Sequence, residues 1–319
     1  MTRPRPGQDR GQGRSLWKAR YLPRLLALIV LILVAVALSM LIGTRFIAPD
    51  TVWGVLTGNR PEGIESSIID ARGTRTIWGL LIGATLGLAG AGMQGITRNP
   101  LGDPGILGVN SGAASALVYA FASIGKDGAT PVKLALMGAV LSAGLGSLTS
   151  ALILTRQNAL DDLRRWQVGS IAGKDLENLF PSGILLLVGA LILFTGSRTI
   201  NNLALGDDMA ASLGENVNRR RFILFIGITL LVGAAVALAG PIAFLGLMAP
   251  HAMRSFISAD YRMLLPASAL FGAVILLLAD TLGRVLMPPQ EIQVGVSTIV
   301  VGVPVFIYLI RRSKGASLS

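Results

Sequence analysis

Six stretches of this chain, residues 25–43, 77–96, 106–124, 134–155, 179–196 and 294–310, contain no Asp, Glu, Lys or Arg. A helix needs about 20 apolar residues to cross a hydrocarbon core about 30 Å thick. One Arg or Asp at its centre costs about 2.5–3.5 kcal/mol, against a gain of about 0.3–0.6 kcal/mol per Leu or Ile. Soluble core helices are a poor explanation for uncharged runs this long and this many. Three further apolar segments carry a few charges. They are 222–239, then 241–257 with His251 and Arg254 and breaks at Gly246 and Pro250, then 264–286 with Asp280 and Arg284. The sequence therefore predicts an all-α fold, a polytopic transmembrane helical bundle with nine recognisable spans. Composition agrees: 14% of residues are charged, where a soluble domain carries about 25%.

The formal net charge of +11 would suit nucleic acid, but its placement points to a membrane. Arg3, Arg5, Arg10, Arg14, Lys18, Arg20 and Arg24 precede the first span, with only Asp9 against them. Positive charge flanking a span marks the cytoplasmic side, so no nucleic-acid partner is expected. Residues 1–24 read as a basic, disordered cytoplasmic tail, 25–312 as a single transmembrane domain, and 313–319 as a second cytoplasmic tail.

Several chemistries drop out. There is no cysteine and only one histidine, so neither disulfides nor a thiolate or histidine-rich metal site is expected. Gly90, Gly92 and Gly95 match G-x-G-x-x-G, but inside an apolar run with no preceding strand, which fails the dinucleotide context. Gly125-Lys126 lacks the first glycine and the Ser or Thr of a phosphate loop. No nucleophile, base and orienting group come together, so no catalytic residue, metal or cofactor is assigned.

Four features remain. Arg72 and Arg75 precede a span and Arg284 stands near the end of another; they are either snorkelling interfacial arginines or a docking surface for an acidic partner. Asn99-Pro100-Leu101 opens a turn between spans, either a helix terminator or a pore-closing pair. Asp208, Ala210, Ala211, Leu213 and Gly214 belong to a polar insertion with helical spacing of Leu203, Leu205, Met209 and Leu213, either a solvated loop or a partner-facing helix. Asp280 lies inside a span, where an acid is functional by default, although it can pair with Arg284 four residues on.

Five ordered blocks, RNPLGDPGILGVNSGAA, LALGDDMAASLGENV, GPIAFLGLMAPHAMR, LLPASALFGAVILLLADTLGR and VGVSTIVVGVPVFIYLIRR, lie between Arg72 and Arg312. In this order they resemble the permeases of ABC importers for iron-siderophores, haem and cobalamin. The resemblance implies a ten-span subunit working as a pair, homodimeric or heterodimeric, in a bacterial cytoplasmic membrane. Two cytoplasmic ATPase subunits would drive it, and an extracytoplasmic binding protein would deliver the chelate. Arg72, Arg75 and Arg284 match arginines that receive glutamates of that binding protein. Asn99 and Leu101 match a cytoplasmic gate, and Asp208 to Gly214 match the coupling helix that sits on the ATPase.

One departure stands out. Basic residues at both ends put both termini in the cytoplasm, which requires an even number of spans, yet nine are recognisable. The conflict falls between Ile106 and Val132, where the family carries one more span; the leading explanation is a deletion that removed the fourth span, and the alternative is a re-entrant hairpin over Ile106 to Ile124 that enters and leaves by the cytoplasmic face. The leading expectation is ATP-driven uptake of an iron-siderophore or related chelate. The alternatives are an ion- or proton-coupled secondary transporter using Asp280, and a non-transporting remnant.

Overall fold

The computed structural model describes residues 9–59, 63–100, 102, 140, 143–144, 147–148, 150–151, 164 and 166–316. Leu101, the runs 106–124 and 134–155, and the short stretch between Ile106 and Val132 lie wholly or mostly outside these residues.

Numbered in chain order, the described helices are α1 (Asp9–Leu41), α2 (Pro49–Leu56), α3 (Ile64–Thr97), α4 (Leu179–Thr195), α5 (Ser197–Ala204), α6 (Asp207–Ser212), α7 (Val217–Ala239), α8 (Leu245–Phe256), α9 (Tyr261–Val285) and α10 (Val294–Ala316). No strand occurs among the described residues. Among the described residues, four helices are long and apolar enough to cross a membrane: α1 from Tyr21, α3, α7 and α9. α4 with α5, bent by 53°, makes a fifth. Residues 9–24 were expected to be disordered but form the opening turns of α1. Once a span has nucleated, each added residue gains a backbone hydrogen bond, so the helix runs back beyond the apolar segment. α10 likewise runs to Ala316, into the stretch expected as a tail.

The run 241–257 does not form one continuous span. Its helix, α8, has 12 residues, about 18 Å at 1.5 Å per residue. The preceding residues 241–243 have no regular secondary structure, and Phe244 is left-handed at φ 66°. Backbone of this kind at membrane depth is tolerated only where protein encloses it. Residues 166–171 supply part of that cover: the Ser170 amide donates to the Ala239 carbonyl at 2.7 Å, the Trp166 indole to the Val236 carbonyl at 3.2 Å, and the Gly295 amide to the Gly169 carbonyl at 3.1 Å.

α3 is the central helix and packs antiparallel to α9. The small-residue spacing at Gly79, Gly83 and Gly87 is the contact. A Cβ on Gly83 would stand 2.6 Å from the backbone of Ala273, and one on Gly87 would stand 2.1 Å from the Ser268 carbonyl oxygen. Gly90 meets α8 in the same way, 1.9 Å from the Gly246 oxygen. Small residues let helix backbones close to this distance in lipid, where dispersion contacts replace the hydrophobic drive. The glycines of the apparent nucleotide motif are thus packing surfaces, as Gly92 against Leu193 and Gly95 against Ile200 also show.

These contacts set two faces. The start of α1 (Arg24, bonded to the Ile257 carbonyl), the ends of α3 and α4, and the starts of α7 and α9 gather on one. The end of α1, the start of α3 and the end of α9 gather on the other. α3 therefore ends on the first face, and α4 begins on the second.

Candidate functional site

The second face is organised by the C-terminus of α1. The last carbonyls of a helix have no intrahelical partner and carry partial negative charge, so cations are favoured there. Arg72, on α3, donates from Nη1 to the carbonyls of Met40 (2.9 Å) and Leu41 (3.1 Å), and from Nη2 to that of Arg45. Arg284, on α9, donates from Nη1 to the Ser39 carbonyl at 3.0 Å. Its Nη2 reaches the hydroxyls of Ser39 (3.1 Å) and Thr281 (3.0 Å). Gly43 leaves room for the Arg72 guanidinium, since a Cβ there would lie 2.6 Å from Nη2.

Arg72 and Arg284 are 6% and 2% exposed. They do not stand on an open surface as expected of docking residues; they lie beneath it and tie α1 to α3 and α9. Asp280 is fully buried and does pair within the fold, with two arginines. Its Oδ1 accepts from Arg75 Nε at 3.0 Å and Nη2 at 2.8 Å. Its Oδ2 lies 3.3 Å from Arg284 Nε, an ion contact without hydrogen-bond alignment. This makes Asp280 a counter-ion between helices rather than a free acid facing a path.

Arg75 reaches furthest outward, with its side chain 12% exposed. Its Nη1 donates to Glu291, a carboxylate 36% exposed in the loop between α9 and α10. Sequence reading missed Glu291. It stands outside any span and any motif block, and only its position shortly after Arg284 hints at the contact. Three arginines face two carboxylates here, leaving one net positive charge.

The first face carries the turn and the short helices. α3 ends at Arg98, which is left-handed (φ 51°) without being glycine. The turn after it closes through the Gly102 amide on the Asn99 carbonyl at 2.9 Å; Leu101 is outside the described residues. Asp207, the first residue of α6, holds this corner together. Its Oδ1 lies 3.1 Å from Arg98 Nη2 and accepts from Arg221 Nη2 at 2.8 Å. The hydrogen bond from Arg221 is the main cause that holds its carboxyl below the usual aspartate range. Sequence reading began the short helix at Asp208 and so missed Asp207.

Ala210 anchors α6 from beneath at 0% exposure, whereas Asp208, Ala211, Leu213 and Gly214 are exposed. Leu205, Met209 and Leu213 are each more than half exposed. Together they form an apolar ridge on a polar base, the form of a contact surface. Among the described residues no group of acidic, histidine or cysteine side chains could hold a metal.

A family model described as the FecCD transport family matches residues 31–126 and 113–312. The ferric enterobactin transport system permease protein FepD of Escherichia coli (strain K12) is 40% identical over 314 positions, covering 89% of this chain and 94% of that protein. The siderophore transport system permease protein YfiZ of Bacillus subtilis (strain 168) is 36% identical over 326 positions, covering 92% and 96%. A solved ABC transporter of the metal-chelate type, in an inward-facing conformation, superposes with a TM-score of 0.71 at 28% identity, covering 92% of this chain and all of the other. Since 89% of 319 residues is about 284, some 30 of the 314 positions aligned with FepD have no residue in this chain. The family match is also split, with its two segments meeting over 113–126.

Proposed function

This chain belongs to the FecCD transport family, and on that premise we propose that it carries a ferric siderophore or a related iron chelate across the membrane. It is a permease subunit of an ABC importer, a multi-pass protein of the bacterial inner membrane. Such subunits work with a separate ATPase, where ATP is hydrolysed, and with a substrate-binding protein. The observation that carries the cargo class is the 40% identity, over nearly the whole of both chains, to a permease named for ferric enterobactin.

The two faces divide the partners between them. The face with α6, the Arg98 corner and the basic N-terminal residues is the cytoplasmic one, because positive charge stays inside. Its ridge of Leu205, Met209 and Leu213, with Asp208, Ala210, Ala211 and Gly214 around it, receives the ATPase. Asn99, at the turn on that side, and its sequence neighbour Leu101 act as the cytoplasmic gate. The opposite face, with Arg72, Arg75 and Arg284, receives the binding protein. Since two of these arginines are tied to α1, Arg75 makes the direct contact and the others hold it in place. A second permease, identical or different, completes the path, and both termini are cytoplasmic.

The shortfall of about 30 positions supports the loss of one span. That length matches about 20 residues of helix and a connecting loop. With both termini cytoplasmic, the number of crossings stays even if one of the two uncharged runs left there, 106–124 or 134–155, is re-entrant rather than spanning. The reading with Asp280 as a proton carrier finds no support, because both its oxygens face arginines.

The test is uptake. Reconstituted with an ATPase and a binding protein, the chain takes up radiolabelled ferric siderophore only with ATP present. Uptake that persists without ATP and collapses with the proton gradient would reject the reading.

A further inference from the structure

The outer face presents a puzzle: the arginines suited to hold an acidic partner are already satisfied from within. Arg72 and Arg284 hold carbonyls of α1 and the turn after it. Arg75 gives Nε and Nη2 to Asp280 and Nη1 to Glu291. The two carboxylates on Arg75 differ in one decisive respect. Asp280 is fully buried, so leaving its partner would strand a charge in a dry site. Glu291 is 36% exposed and can exchange its partner for water at little cost.

The geometry points to Glu291 as an intramolecular competitor: it occupies the outward edge of the Arg75 guanidinium that a carboxylate of the docking binding protein takes over. This rests on the reading of that face as the docking face. Charge favours the exchange. With Glu291 in place the cluster carries one net positive charge, and with Glu291 swung out it carries two. The fork of an arginine suits a carboxylate in a bidentate, charge-assisted bond. Two carboxylates on the same edge would repel each other, so partner and Glu291 alternate. The loop is suited to the exchange: Ile292 is fixed by its amide on the Gly283 carbonyl at 3.0 Å. Beside that pivot Glu291 can swing out without moving α9.

Competition lowers the affinity of docking by the fraction of molecules in which the site is free. It also makes docking a swap of one ion pair for another, so the number of ion pairs does not change. Removing the competing charge turns the same event into a net gain of one pair, which salt screens.

The experiment uses the complete permease–ATPase complex in nanodiscs and the purified binding protein that supports its uptake, with binding measured at low and high salt. Glu291→Gln, nearly isosteric, is expected to bind the binding protein roughly three- to tenfold more tightly at low salt, with a steeper loss of affinity as salt rises. Arg75→Gln is expected to weaken docking at least tenfold. Unchanged docking by Arg75→Gln overturns the docking face itself. Weakened docking by Arg75→Gln, together with unchanged or weaker docking by Glu291→Gln, overturns the competitor alone and leaves Glu291 a structural clamp. Size-exclusion profiles of both variants, matched to the unmodified complex, confirm that each is folded.

Discussion

Replacing Asp280 with Asn probes the helix-joining cluster at its most sensitive atom. Asp280 is fully buried and accepts from Arg75 at 3.0 and 2.8 Å, with Arg284 Nε at 3.3 Å. The amide keeps the shape but has one acceptor. If its oxygen stays on Arg75, its NH2 group faces the Nε–H of Arg284, donor against donor. Two charges about 4 Å apart interact by about 4 kcal/mol at an effective dielectric constant of about 20. Breaking a buried pair by removing one partner costs about 3–5 kcal/mol, because the remaining charge is left uncompensated. Asp280→Asn is therefore expected to destabilise the permease by about 3–5 kcal/mol. Adding Arg284→Gln removes one stranded charge. The double variant should be less destabilised than the sum of the two single variants, by about 1–3 kcal/mol of coupling. Reversible unfolding in mixed micelles measures all three. A loss below about 1 kcal/mol for Asp280→Asn, as for an exposed pair, or strict additivity in the double variant, would refute the picture of Asp280 as the counter-ion joining α3 to α9.

Other expectations follow from the packing and the two faces. Gly90→Ala puts a Cβ 1.9 Å from the Gly246 oxygen and forces α3 from α8, so the thermal transition of the purified protein should fall sharply; Gly73→Ala, with nothing within 4 Å, should leave it unchanged or raise it slightly. The hydrogen bond from Arg221, with the charges of Arg221 and Arg98, depresses the Asp207 carboxyl pKa below the unfolded value. Their contribution is then present above the usual aspartate range and lost as pH falls through the lower folded value. Protease sensitivity near α6 should rise only in that acidic window, and Asp207→Asn should abolish the pH dependence. The chain has no cysteine, so single replacements report sidedness cleanly. Ser212→Cys should react with an impermeant maleimide only from the cytoplasm, and Gln290→Cys only from outside.

The membrane class and the central helices were legible in the sequence because lipid allows few solutions: uncharged runs long enough to span it must be helices. The three arginines were also legible as a group. Their burial was not, because it depends on where α1 ends, and no pattern in 72–75 or 284 shows that Met40 and Leu41 lie opposite. Glu291 escaped for the same reason; its partner is 216 residues away along the chain. The half-length α8 misled the reading because 241–257 is as apolar as a full span, and only the irregular residues 241–243 and the left-handed Phe244 cut it short. Asp207 was one residue outside the assigned helix, yet it bonds to both arginines at that corner.

The central claim is that this chain, although it lacks about 30 of the 314 positions aligned with FepD, is a working subunit of an ATP-driven chelate importer. The direct measurement is uptake of radiolabelled ferric siderophore into proteoliposomes containing this chain, its ATPase and its binding protein. The account predicts accumulation that needs both ATP and the binding protein, and that is lost when the ATPase is inactivated by mutation. A complex that assembles and hydrolyses ATP but never accumulates the chelate would contradict it.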